Sequence, residues 1–538
     1  MSLALDLGRR GIDVLIVDPS PSTTENPRCN TTNARSMEYF RRLGLADRIR
    51  RAGLPLDHPT DVVYKTTLDG YELTRFRFSS AQDILDGTAP EFEEWPTPEP
   101  QHRISQIFLE PILEERLAEM PSVELRRGWA ATGVTQTDAS AVVSLRHAET
   151  GAEMEVEAEY VAGCDGGASV IRKAIGARLQ GDATAAEERL SVYFRSEEMR
   201  EILGPDAGWM YWWYGPVHRG SFLQLNGKDL FLLHGRVPVG MAPEDLDPDD
   251  VMRAAIGRDI RHEKLQVIRW TPRRLVSNRF VDGRVALAGD AAHLWLPLGG
   301  FGMNTGIADA MGLSWRLAAL LDGSGGERLL EDYEAERQSV GEATSRAALR
   351  IDRDMNAIGR DPVLHEASAA GAQLRVEAGH LIQQIDRKQW WSQGVQFGSR
   401  YADSRGIVLD KDHGAKAIEA IDHYEPSSIA GGRLPHTWLP GHQSLFDALG
   451  PEWTLLEAGV TDEEGAFARA AAELGVDLLT LRLAEATDPV LTGQLILVRP
   501  DMFIAWSADA APPDARAILA AALGRVEVAA VAGSTADA

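Results

Sequence analysis

Cysteine is nearly absent from this 538-residue chain: Cys29 and Cys164 are the only two, and no CxxC pair occurs. That excludes a disulfide framework and a cysteine-rich metal site, so no metal is expected and a reducing cytoplasm is the expected location. Long apolar runs are missing as well. No stretch of about 18 apolar residues occurs, which leaves no candidate transmembrane helix. The first residues lack the charged start, apolar core and cleavage site of a signal peptide. Positive charge is scarce, with 55 Lys and Arg against 80 Asp and Glu and a formal net charge of −25. Such an acidic chain argues against nucleic acid or an anionic membrane as partner. Anionic cofactors need only a local cluster of donors and stay open. What is present is a globular composition, 44% apolar and 25% charged. Single cores rarely grow past roughly 250–300 residues, so two or three domains are expected.

Residues 3–10 place Leu3, Ala4 and Leu7 at helical spacing, with Gly11 where a C-cap glycine belongs. The apolar run 12–18 then ends in Asp18 and predicts a buried parallel strand. Helix, glycine, strand and terminal acid form the second half of a βαβ dinucleotide unit. The glycine-rich turn of such a unit lies about 20 residues before the acid, which falls at or before Met1. The chain is therefore expected to lack the first strand and GxGxxG, as an N-terminally truncated member of its fold. Two short helices are predicted in 35–53, broken at Gly44. The acidic, proline-rich stretch 79–101 predicts a surface excursion, with the run 91–94 solvated. Short apolar runs at 211–214, 222–225 and 230–234 predict a sheet-rich insertion, 431–442 reads as a linker, and 491–509 as a hairpin. The Ala-rich tail is expected to fray.

The strongest chemical signal is RVALAGDAAHLWLPLGGFGMNTGIADA, residues 284–310. A buried strand ends at Gly289, Asp290 stands at its carboxyl edge, and a loop with Gly299, Gly300, Gly302 and Gly306 enters a helix. Ligands of open α/β sheets bind beyond the carboxyl ends of strands. A carboxylate there accepts from a ribose or ribitol hydroxyl, and glycines let backbone N–H groups approach an anion. The plainer reading, a glycine-rich turn with no ligand, does not account for strand, acid, His293, Pro297 and four glycines together.

At these residues the chain resembles the class A FAD-dependent aromatic hydroxylases, the family of p-hydroxybenzoate hydroxylase and phenol 2-monooxygenase. The GD motif of that family matches Gly289 and Asp290 through Asn304. The resemblance implies Asp290 on the ribitol and the backbone of Gly300, Gly302, Met303 and Asn304 near the flavin. Asp18 resembles the ribose acid, Arg28 the flavin-side arginine, and Arg103 with Gln106 the R-x-x-Q start of a helix that meets FAD. Asp165, Gly166 and Arg172 resemble the DG motif used for FAD and NAD(P)H.

The resemblance further implies an α/β fold: a Rossmann-like FAD-binding domain, an inserted β-sheet substrate domain and a thioredoxin-like C-terminal domain without cysteines. The FAD-binding domain takes 1–75, 103–185 and 276–355, with an excursion at 76–102. The substrate domain takes 186–275, a helical region 356–430, and the last domain 431–538. FAD is the implied cofactor, NADH or NADPH the co-substrate, and a small aromatic compound and O2 the reactants, in a homodimer. The implied reaction is hydroxylation of a phenol-type ring through a flavin C4a-hydroperoxide. The same fold also serves epoxidation and Baeyer–Villiger oxidation, and an FAD-free structural role is the reading from another class.

Several residues keep two readings. Arg28 reads as a flavin contact or a surface charge, Arg172 as a cofactor contact or a partner of a nearby acid. His293 is expected to be structural rather than a proton relay. Tyr211 to Tyr214 alternate across a strand, so one pair packs in a core and the other lines a cavity. Pro297 is expected beside the reacting flavin edge, and Tyr211, Tyr214 and His234 are the candidates for the base that activates the phenol.

Overall fold

The computed structural model describes residues 1–182, 187–237, 241–359, 361–401, 404–408, 420–483 and 488–525. The Ala-rich tail beyond 525, and residues 409–419 within the helical segment, lie outside the described residues. No helix among them is long and apolar enough to cross a membrane.

The chain opens with the helix Ser2–Arg9 and the strand Val14–Asp18, as the apolar spacing predicts. The strand pairs in parallel with Val123–Arg127 alone, from Val14 opposite Val123 to Asp18 opposite Arg127. All five of its residues are half-buried, which corrects the expectation of a buried strand. Its other edge has no hydrogen-bonded strand among the described residues. A second parallel pair, Val161–Gly163 with Val285–Leu287, delivers the Gly289 loop. Asn33 caps the helix Ala34–Arg42 by accepting from the Ser36 N–H at 2.8 Å, and Gly44 at φ +73° separates it from Ala46–Arg50.

A seven-stranded sheet forms the roof of the site. Its order is Glu263–Trp270, Arg189–Arg195, Leu230–Arg236, Arg219–Gln224, Met210–Tyr214, Val62–Lys65 and Glu72–Phe76. The last two strands come from 1–75, which the sequence reading gave wholly to cofactor binding; the pairing of Met210–Tyr214 with Val62–Lys65 places them in this sheet instead. Period-two alternation divides its faces. Tyr211, Trp213, Phe222, Phe231 and Leu233 pack with Val251, Met252 and Ala255 in one core. Met210, Trp212, Tyr214, Leu223 and Leu232 face the other way.

The long helices Phe301–Leu321 and Leu329–Asn356 run beneath, and Ala369–Ile385 packs on the outer strand Glu72–Phe76. The C-terminal unit is a four-stranded sheet, Leu478–Arg482, Trp453–Ala458, Gln494–Val498 and Ile504–Ala508, with the helices Ala466–Leu474 and Ala515–Ala522. The expected hairpin is its last antiparallel pair.

Two surface assignments are corrected. Glu91 is buried and accepts from the backbone and hydroxyl of Ser79 at 2.8 and 2.6 Å, and Trp95, Thr97 and Glu99 are buried behind it. Residues 431–442 are no free linker: Leu434 is fully buried, and Arg433 pairs with the buried Glu38. Burial opposes the Glu38 charge, but Arg433 and Arg35 outweigh it and hold the carboxyl below its ordinary range. An isolated buried carboxylate would be costly, so this pairing ties the C-terminal unit to the helix Ala34–Arg42.

Candidate active site

A cavity of about 550 Å³ lies between the sheet and the loop that follows Asp290. Of the residues singled out in the sequence, Arg28, Arg103, His234, Asp290, Pro297, Gly300, Gly302 and Met303 line it. They come from four separate segments, so only the fold assembles them.

The loop enters the helix Phe301–Leu321 at Gly300, whose φ of +65° suits glycine and where a Cβ would press on Thr31 at 3.0 Å. The first N–H groups of that helix have no partner within it, which makes this end a site for an electron-rich group. Asn304 fixes the approach. Its Nδ2 donates to the carbonyls of Thr31 at 2.9 Å and Gly300 at 2.5 Å, and its Oδ1 accepts from the Asn33 N–H at 2.9 Å. Asn304 thus lies behind the cavity wall and latches the loop to residues 31–33.

Beneath Gly289 sits a charged knot. Asp309 accepts from the Gly289 N–H at 3.0 Å, lies 2.7 Å from His293 Nε2 and accepts from Arg337 Nε at 2.7 Å. Burial opposes its charge, yet Arg337 and His293 prevail and hold the carboxyl down to about 2. His293 also stacks on Trp295 at 4.3 Å between ring centroids. Nε2 and one ring face are thus held, while Nδ1 has no partner and the residue borders the cavity.

Asp290 makes no hydrogen bond to another described residue. Desolvation in the cleft pushes its carboxyl up, against the pull of His293 and Arg28. The exposed Arg28 side chain is likewise unpaired among the described residues; its carbonyl accepts from the Gln106 N–H at 3.1 Å, which fixes the segment. Arg103 is buried, stacked over Trp209 at 4.5 Å and bonded to Thr31 Oγ1 at 2.9 Å. Its Nε and Nη2 have no partner. Burial brings this guanidinium down to about 9.

Other expected site residues stand outside the cavity lining. Asp18 ends its strand and accepts from the Ser20 N–H at 2.8 Å. Gln106 donates to Glu110, one turn along its own helix. Asp165 accepts from Ser169 Oγ and from the N–H groups of Val170 and Ile171, which caps the helix Val170–Ala174. Gly166, at φ +75°, makes the turn before it. Arg172 pairs with no acid among the described residues: it donates to the carbonyls of Ala291 at 2.9 Å and Gly167 at 2.8 Å and so joins the DG turn to the GD loop.

The tyrosines are also corrected. Tyr211 faces the opposite core and accepts from the Gly208 N–H at 2.8 Å. Tyr214 shares the cavity-facing side of its strand but is stacked on Tyr64 beyond the lining. Its wall neighbours Met210 and Trp212 reach the cavity instead.

Sequence reasoning missed Arg189, Ser191, Trp209, Trp270, Trp295 and Trp390, all of which line the space. Only Trp295 sits in a motif, the 284–310 stretch, where it was not singled out. For Arg189, Ser191 and Trp270 the alternation of their strands was the only signal, and it gives no face without the pairing; Trp209 and Trp390, just before a strand and at the end of a short helix, carried none.

Comparison with known proteins agrees with this arrangement. An FAD binding domain model matches residues 1–348, and an aromatic-ring hydroxylase C-terminal model matches 427–527. Aklavinone 12-hydroxylase RdmE of Streptomyces purpurascens is 30% identical over 98% of this chain and 96% of its own. Phenol 2-monooxygenase of Pseudomonas sp. (strain EST1001) is 27% identical over 95% and 88%. The structure of the rebeccamycin biosynthetic enzyme RebC with reduced flavin superposes with a TM-score of 0.88 at 32% identity, covering 98% of this chain and 96% of that one. Two family models in the right order, and relatives aligned over nearly the whole length, place the chain in the family of FAD-dependent aromatic-ring hydroxylases.

Proposed function

We propose that this flavoprotein monooxygenase binds FAD along the Asp290 loop and hydroxylates a phenol-type ring held under the sheet, using O2 and NADH or NADPH. The observation that carries the reading is that one continuous cavity is lined both by Asp290 and the glycine loop and by Trp209, Trp212 and Trp270. The residues fit the cofactor. Asp290 has free acceptor oxygens, Arg28 a free cation, and Gly300 to Met303 a helix end that a side chain would obstruct. FAD, when bound, supplies electron transfer and oxygen activation.

The chain's own residues supply position and dryness. Leu296, Pro297 and Leu298 have no side-chain polar atom and shield the middle of the cavity from water. Indole faces suit a flat ring, and such aromatic pairs add about 0.5–1.5 kcal/mol beyond burial. Arg103, with two unused donors, offers its charge to electron-rich groups at the same wall.

The test is direct. The purified protein, given FAD, should show a bound-flavin visible spectrum, oxidise NADH or NADPH faster with a phenol present, and place one atom of labelled O2 in the product. A protein that stays colourless with FAD and oxidises neither nucleotide with a panel of phenols would overturn the reading. Label appearing in an epoxide or lactone would assign the other chemistry of the fold.

A further inference from the structure

Behind the cavity wall lies a hydrogen-bonded pair that hydroxylation does not use. Trp209 and Trp390 both line the cavity, with ring centroids 6.5 Å apart and planes nearly perpendicular. Trp390 Nε1 donates to Tyr64 OH at 2.9 Å, and Tyr64 OH donates in turn to Asp386 Oδ2. Tyr64 and Asp386 are both buried. Asp386 holds the N-cap position of the short helix Arg387–Trp390, where a carboxylate ordinarily accepts from the first turn. Its side chain makes no such bond and is given to the phenol instead.

That acceptor sets Tyr64 apart. A phenol that loses an electron becomes a strong acid, and a buried cation is costly unless its proton has somewhere to go. Tyr214 stacks on Tyr64 at 6.5 Å between centroids, yet its buried hydroxyl has no partner among the described residues. The Tyr211 hydroxyl accepts from the Gly208 N–H. Of these three tyrosines only Tyr64 has a carboxylate on its O–H. Burial pushes the Asp386 carboxyl up to about 7, so the carboxylate gains by taking a proton. Lys388 and Asp354, the other charges beside it, pair with each other.

The wall in front has the opposite character. The Arg103 guanidinium lies 4.5 Å from the Trp209 ring centroid and 5.7 Å from that of Trp390. A cation is attracted to an intact indole face. Once the indole has lost an electron the same contact is repulsive. An electron vacancy at the cavity wall is therefore driven off both tryptophans and toward Tyr64, one hydrogen bond further in.

We propose that Tyr64 and Asp386 form a proton-coupled one-electron donor to the cavity, reached through Trp390. Tyr64 gives up one electron, by way of the Trp390 indole, to an electronically excited flavin in the cavity. Its O–H bond breaks, the proton passes to Asp386 Oδ2, and a neutral tyrosyl radical and a neutral carboxyl remain. Return of the electron reverses both transfers. The pair thus disarms a stray oxidising equivalent with no net chemistry, and it does so whichever substrate is hydroxylated.

The test is time-resolved electron paramagnetic resonance of the FAD-loaded protein after blue flashes, without oxygen, in mildly alkaline buffer where Asp386 is ionised. The wild type should give a tyrosyl signal that narrows when the chain carries ring-deuterated tyrosine. Tyr64→Phe should lose it. Asp386→Asn keeps a hydrogen-bond acceptor but cannot take the proton, and should lower the yield about tenfold or more. Trp390→Phe, which keeps a ring but no N–H, should lower it as well. A wild type without the tyrosyl signal, or an undiminished signal in any of the three variants, would overturn the proposal. No turnover is read here. An active hydroxylase without the signal sinks this proposal alone, and a signal in a protein that hydroxylates no phenol sinks the oxygenase reading alone.

Discussion

Asp309 Oδ2 lies 2.7 Å from His293 Nε2, while Asp309 Oδ1 accepts from Arg337 Nε at the same distance, so one buried carboxylate holds the cofactor loop from below. Replacing it with Asn leaves Arg337 buried without a counter-charge. Breaking a buried pair in this way costs about 3–5 kcal/mol. Asp309→Asn should therefore lower the urea midpoint strongly and weaken flavin retention. The pH dependence follows the depressed carboxyl. The stabilisation is complete above the ordinary 3.8 and is lost as pH falls through about 2. Denaturation curves between pH 5 and 2 should converge for wild type and variant. A midpoint unchanged at pH 7 would contradict the account.

Asn304 is expected to matter for geometry rather than contact, since it stands behind the cavity wall. In Asn304→Ala the Asn33 N–H and the Thr31 carbonyl lose their buried partner, at about 1–3 kcal/mol. Because residues 28–31 line the cavity, flavin affinity measured by quenching should fall about tenfold. Stability lost with affinity intact would show that the latch does not shape the site.

Asp290 and Arg28 separate binding from folding. Neither is engaged by another described side chain, and desolvation raises the Asp290 carboxyl. Asp290→Asn should leave the apoprotein melting temperature unchanged or slightly higher, and weaken FAD binding by about tenfold. Arg28→Ala should behave likewise. A variant that melts early without FAD would assign its residue to the scaffold.

Legibility in the sequence followed the range of the interactions. The strand into Gly289, the loop glycines and the break at Gly44 are local, and all were readable from spacing. The Val62–Lys65 and Glu72–Phe76 strands were assigned with the cofactor segment because their partner, Met210–Tyr214, lies far along the chain. Alternation correctly split Tyr211 from Trp212, yet it could not name the cavity side without that pairing. Asp165 and Arg172 show the converse. Their motif was visible, while the bonds to Val170 and Ala291 that occupy them were not.

Asp386 gives the clearest dependence on pH between mildly acid and neutral. Tyr64 OH donates to Asp386 Oδ2, and Trp390, a cavity-lining residue, donates from Nε1 to Tyr64 OH at 2.9 Å. Burial pushes the Asp386 carboxyl up from 3.8 to about 7, against those hydrogen bonds. The folded state therefore holds a proton that the unfolded chain releases near pH 4. Its stability falls as pH rises through that window, by up to about 4 kcal/mol for a shift of roughly three units. Asn at 386 still accepts from Tyr64 and carries no charge to bury. Asp386→Asn should thus match the wild type near pH 4 and melt higher at pH 8, with the gap opening progressively up to about pH 7. Thermal melts across that range decide the matter: parallel curves would mean that Asp386 ionises freely and that the Tyr64 network does not enclose it.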